Sequence, residues 1–313
     1  MLTFIGKRLA SGVVALVVVA CLTFVLLFTT SGNIARNIMG DQASEESVAA
    51  KAHELGLDRP LLARLGSWLW DAVHLQFGKS YFSEQQVVSA MVSRLPLTLS
   101  MVFVAIVLTA LIATLLGVTA AVKRGVADRV VQVMAVLGAS IPGFIIGIVL
   151  VLMFAINLRW FPAVSKIGPT SKPSVWVASL TLPVIALVLN GIASATQQIR
   201  SAFIKQLELD YVRTLRSRGI PEREVLFRHV LRAAAPAGLT VLSLHFIGLL
   251  GGVVIIETLF ALPGLGRLAV DATTQSDLPL VMGVVIYTVA IVVVVNLLVD
   301  IANGWLNPKV RVS

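Results

Sequence analysis

The sequence predicts an all-α integral membrane protein with six transmembrane helices and a small external helical insertion. Hydrophobic residues fill 57% of its 313 positions and charged residues only 13%. That is about half the charged share of a soluble domain, so much of the surface must face lipid. Charge-free apolar stretches recur at Leu9–Thr30, Leu97–Val122, Val130–Leu158, Val175–Ile199, Ala233–Ile256 and Leu278–Val299. Each is about 20 residues or longer, enough for a helix to cross roughly 30 Å of hydrocarbon. Backbone amides in lipid need internal partners, and these stretches are too long and too uniformly apolar for barrel strands, which leaves helices.

The same composition narrows the function. The net charge is +9, but the basic residues fall between apolar runs, where they set orientation and meet anionic headgroups rather than nucleic acid. Cys21 is the only cysteine, so no intramolecular disulfide forms and no cysteine-rich metal site exists. His53, His74, His229 and His245 show neither an i,i+4 pair nor HExxH spacing, which argues against a zinc hydrolase.

Lys7 and Arg8 precede the first apolar run as in a secretory signal, and Val18-Val19-Ala20-Cys21 has the look of a lipoprotein cleavage box. The run continues beyond Cys21 for a full bilayer crossing, so a retained helix within residues 1–30 is expected. Residues 31–95 carry Trp68, Leu69, Trp70, Val73, Leu75 and Phe77 beside Glu45, Glu46, Glu54 and Asp58, the mixture of a small, mostly helical cap. Gly78-Lys79-Ser80 is no phosphate loop, because the pattern needs a glycine where Val73 stands. Residues 96–301 form a five-helix core in which Pro142 and Pro183 kink two spans, and residues 302–313 are a tail. Gly143–Gly147 and Gly248–Gly252 offer close helix approach.

Orientation follows from the short connections. Lys7, Arg8, Lys123, Arg124, Arg129, the eight Lys/Arg of 200–232, Lys309 and Arg311 alternate onto one side, against Arg159, Lys166, Lys172 and Arg267 opposite. The positive-inside tendency puts both termini in the cytoplasm and the 31–95 cap outside.

The loop 200–235 is the most informative segment. Ile204, Leu207, Tyr211 and Leu215 form one helical stripe with Arg213 opposite. Gly219 ends the helix and Pro221 suits the first turn of another. Glu222 and Glu224 near the new N-terminus, and Arg228 and Arg232 further along, complement its dipole. On periodicity alone this hairpin either lies on anionic lipid or docks a cytoplasmic protein.

Asp210-Tyr211-Val212-Arg213-Thr214, Arg218-Gly219 and Glu222 through Arg232 resemble the coupling loop of ABC importer permeases, above all the B-type subunit of the bacterial dipeptide/oligopeptide (peptide/nickel) group. The likeness extends along the chain: Leu55-Gly56-Leu57-Asp58-Arg59-Pro60, Phe77-Gly78-Lys79-Ser80, Arg94-Leu95-Pro96, Ser140-Ile141-Pro142, Glu257-Thr258-Leu259-Phe260, Pro263-Gly264-Leu265-Gly266-Arg267, Asn296 to Asp300 and Asn307 to Arg311. Arg213-Thr214-Leu215 replaces the frequent Glu-Ala-Ala, Asn307 a common Asp, and Gln275-Ser276-Asp277 only approximates the family's motif.

The resemblance implies a type I importer permease in the bacterial inner membrane. It would pair with a homologous second permease to carry di- or oligopeptides, with two cytoplasmic ATPases and an extracytoplasmic solute-binding protein as partners. The chain would have no catalytic residues and no cofactor, ATP and magnesium belonging to the partner subunits. Tyr211, Arg213, Gly219, Glu222, Arg223 and Arg228 are the expected ATPase-coupling residues. Intramembrane polar residues mark pathways or interhelical bonds; Asn190, Gln197, Ser243, His245 and Glu257 are the pathway or gate candidates, with Gln198, Asn296 and Asp300 beside them. Nickel or another small solute is the alternative cargo. A proton-coupled carrier would use Glu257 and Asp300 but would show an internal repeat, and an intramembrane enzyme would show paired catalytic groups.

Overall fold

The computed structural model describes residues 2–30, 34–168 and 170–306. The C-terminal motif Asn307 to Arg311, with Lys309 and Arg311, lies outside the described residues. These contain thirteen α-helices and two π-helical segments, with an isolated Lys79–Gln86 bridge in place of any strand among them. Five helices are long and apolar enough to cross a membrane, and six if one bent pair counts as a single span.

The long helices are α1 (Leu2–Thr30), α5 (Val87–Lys123), α8 (Pro173–Leu207), α11 (Leu231–Leu259) and α13 (Leu278–Leu306). Between α1 and α5 lie α2 (Ile34–Met39), α3 (Glu45–Glu54) and α4 (Leu61–Val73). The stretch Val130–Leu158, read from sequence as one kinked span, is instead broken. α6 (Gly125–Ser140) and α7 (Gly143–Leu150), the latter continued by a π-helical segment Val151–Asn157, meet at 90°. Pro142 excludes Ile141 from helical geometry, and Ile141 is extended (φ −98°, ψ 119°). Pro183, by contrast, stays inside α8. Leu182, Pro183 and Val184 are buried in the packing around α8, whereas Ile141 and Pro142 at the α6–α7 junction are exposed.

The chain separates into two compact units that cut across sequence order. The first is Met1–Phe4 with Leu99–Leu262 and Val294–Ser313; the second is Ile5–Thr98 with Pro263–Val293. In the first, α8 packs against α6, α7 and α11. Small residues allow this: Gly143 abuts Asn190, Gly147 abuts Leu259, and Gly117 comes against the backbone of α8 at Thr196 and Arg200. Of the two glycine pairs marked in the sequence, only Gly143–Gly147 is used this way; Gly248, Gly251 and Gly252 face open space.

In the second unit, Phe24, Phe77, Val87, Met91, Leu278 and Met282 share one buried core. The Ser80 hydroxyl donates to Asp277 at 2.5 Å, and the Tyr81 amide reaches the same carboxylate. Both Ser80 and Asp277 are buried. The glycine-lysine-serine segment is thus a structural latch onto the start of α13. Thr98 accepts the Leu265 amide at the start of α12 (Leu265–Thr274).

Candidate functional site: the hairpin between α8 and α11 and the polar face of α8

α8 ends at Leu207, and a separate helix α9 (Asp210–Ser217) follows. The single stripe from Ile204 to Leu215 is therefore divided between two helices. Leu209 is extended (φ −74°, ψ 148°) and its carbonyl accepts the Val212 amide, which starts α9. The corner after α9 is a complete Schellman motif. The Gly219 amide donates to the Arg216 carbonyl and the Ile220 amide to the Leu215 carbonyl. Gly219 has φ +76°, a left-handed conformation that a side chain disfavours. Leu215 and Ile220 pack on the same core, the apolar contact that usually accompanies this motif.

Pro221 then caps α10 (Glu222–Glu224), which passes through a π-helical segment, Val225–Val230, into α11. In a π-helix, residues five apart stack along the hydrogen-bond ladder, so Val225 and Val230 share a side. Both are fully buried with Val212 and Phe203. Sequence periodicity pointed at Tyr211; the anchor is Val212, and its signal was the one β-branched aliphatic residue inside a charged run.

Above this core the polar side chains interlock. Arg216 donates from two nitrogens to Glu222, at 2.6 and 3.0 Å, across the Gly219 corner. That bond holds the Arg216 guanidinium more firmly protonated than usual. Arg228 pairs with Glu224 at 2.8 Å, and Arg213 lies 3.6 Å from Asp210. Tyr211 is half-buried, its hydroxyl 3.4 Å from Gln206, and burial pushes its pKa up. Arg223 and Arg218 are exposed and have no ion-pair partner among the described residues. All six residues expected to couple thus lie on one hairpin: an apolar underside, a locked corner, a charged outer face.

The intramembrane candidates divide into four environments. Asn190 and Gln197 are exposed and share one face of α8 with Ser194 and Ser201, at i, i+4, i+7 and i+11. The two serines belong to this stripe but did not stand out in sequence; their hydroxyls also bond back to the helix, at Gly191 and Gln197. Ser243 is buried and donates to Asn296 at 2.7 Å, tying α11 to the last part of α13. His245 packs directly onto Gly191, and its Nε2 has no hydrogen-bond partner among the described residues. Glu257 is fully buried in the last turn of α11, and its carbonyl accepts the Leu262 amide.

One connection escaped sequence reading. Asp128 at the foot of α6 receives two hydrogen bonds from Arg200 of α8, one of 2.6 Å from a terminal nitrogen and one from Nε. Both side chains are mostly buried. Sequence separation hid the pair, and Arg200 read only as part of a basic run.

Two family models match the chain. "Binding-protein-dependent transport system inner membrane component" covers residues 113–312, and the N-terminal component of the same systems covers residues 1–102. A protein of Brucella abortus named for a peptide transport system permease is 39% identical over 99% of both chains. A Sinorhizobium fredii protein named for a peptide ABC transporter permease is 34% identical over 98% of this chain and 99% of its own. The glutathione transport system permease protein of Salmonella choleraesuis is 34% identical over 99% of both.

Proposed function

This chain belongs to the binding-protein-dependent transport system inner membrane components, a family of non-catalytic multi-pass membrane permeases, and on that premise we propose that it couples partner ATPases to import of short peptides. The observation that carries the reading is the hairpin. Its inner side is fixed in the core by Val212, Val225 and Val230, so force applied to its charged outer side reaches α8 and α11 as a rigid-body shift. Tyr211, Arg213, Gly219, Glu222, Arg223 and Arg228 are the residues that meet the ATPase, with both chain termini on the same cytoplasmic side.

The exposed polar stripe of α8 supports a translocation path there. A row of Asn190, Ser194, Gln197 and Ser201 along one exposed face of a spanning helix is unfavourable against lipid and suits a wet channel. Ser243, paired with Asn296, is assigned to helix packing instead. Open Gly248, Gly251 and Gly252 suit close contact with a second permease. Peptide cargo rests on the names of the relatives from Brucella and Sinorhizobium.

Co-expression with the products of neighbouring genes tests this. A second permease, Walker-type ATPases and a secreted binding protein should co-purify, and ATP hydrolysis should rise when peptide-loaded binding protein is added. Purification of this chain free of any ATPase, with peptide uptake driven by a proton gradient, would overturn the reading.

A further inference from the structure

Arg64 is a buried guanidinium, 8% exposed, with no carboxylate in ion-pair range among the described residues. It sits on α4 with its guanidinium carbon 5.2 Å from the Phe28 ring centre and 6.0 Å from that of Phe24, and the Tyr81 phenol lies close enough to feel its charge. Aromatic faces and one phenol offset part of the cost of burying a full charge, but they supply no counter-charge. One turn further along α4, Trp68 packs against Phe24 and Phe77, and its indole Nε1 is buried without an acceptor among the described residues. A buried cation without a counter-charge and a buried N–H donor without an acceptor, adjacent on one helix face, are rare in a native structure and call for an acceptor.

Both residues line a cavity of about 250 Å³ within the second unit. Arg59 and Lys79 stand exposed around it, against the single carboxylate of Asp71. The other nearby acid, Asp277, is committed to Ser80 and to the amides of Tyr81 and Leu280. The one buried polar atom of the cavity without a partner among the described residues, Trp68 Nε1, is therefore a donor, and the excess charge of the lining is positive.

We propose that this cavity is an oxyanion-binding site for a small carboxylate, which Arg64 pairs by charge and Trp68 orients through its N–H. A planar guanidinium matches a carboxylate through two parallel hydrogen bonds, and the cavity's size suits an amino-acid or peptide terminus rather than a folded partner. The site is separate from the α9–α10 hairpin and needs no ATP, so its test stands apart from the transport reading.

The full-length chain in phosphatidylcholine nanodiscs is titrated calorimetrically with N-acetylglycine, its amide, and inorganic phosphate. The acid should bind saturably, and the amide at least about tenfold more weakly, since it lacks the charge. Trp68→Phe preserves the aromatic packing and removes only the donor; it should weaken the acid about fivefold. Arg64→Gln should abolish binding and Arg64→Lys retain part of it. Should the glutamine variant fail to fold, Trp68→Phe decides. Equal affinity for acid and amide, no binding by the unaltered chain, or an unchanged affinity in Trp68→Phe overturns the proposal. Phosphate binding without the acid overturns the carboxylate assignment, as does loss of acid binding in phosphatidylglycerol discs with phosphate inert, which would mark a lipid headgroup site.

Discussion

A methyl group at position 191 would overlap the imidazole of His245, so these two residues fit only as a pair. Gly191→Ala should therefore lower stability by about 1–3 kcal/mol, the usual cost of overpacking. His245→Ala in the same chain should recover most of the loss, as thermal unfolding in detergent would read. Independent, additive losses would show that the contact is not the cause. Ala261 makes the opposite prediction. It holds φ +50° at the end of α11, where its amide bonds to Thr258 and the next amide to Glu257. This is the same Schellman geometry that Gly219 occupies, here without glycine. Ala261→Gly should stabilise the protein by up to about 1 kcal/mol, read as a rise in Tm. At this scale the sequence was uneven as a guide. Gly219 announced its turn because glycine with proline two residues on is strong punctuation, whereas Ala261 and the Gly191–His245 contact depend on backbone angle and packing that residue type does not encode.

Helices were legible where length and charge sufficed. The apolar stretches became α1, α5, α8, α11 and α13, because about 20 uncharged residues leave few other structures in lipid. Boundaries and breaks were less legible. Pro142 and Pro183 look alike in sequence, yet one junction, exposed, bends by 90° and the other, buried, stays helical. The π-helical segment Val225–Val230 likewise left no periodic signature, although it is what seats the hairpin. The Asp128–Arg200 pair links α6 to α8, and its mostly buried setting should make it worth more than a surface ion pair. A double-mutant cycle on Asp128→Asn and Arg200→Gln should give a coupling energy of about 1–3 kcal/mol. A value near zero would reduce the pair to decoration.

At the scale of the molecule, family membership was readable because short motifs recur in order from Leu55 to Asp300, and both family models together span nearly the whole chain. The division into two units was not, because each joins segments far apart in sequence, as the Ser80–Asp277 bond shows. The polar side chains were found by type, but their environments came only with packing: Asn190 and Gln197 face outward, Ser243 is tied to Asn296, and Glu257 is buried. Gly219→Glu in the reassembled transporter tests the hairpin's role most directly. Position 219 has open space around it, so the side chain fits sterically while its charge and the strained backbone disturb only the corner. ATP-driven uptake of a labelled peptide into proteoliposomes should be lost, with membrane insertion and pairing to the second permease intact, and Gly219→Asn, which tolerates a positive φ, should keep most of it. Uptake by Gly219→Glu at the unaltered rate would contradict the assignment of this hairpin as the coupling element.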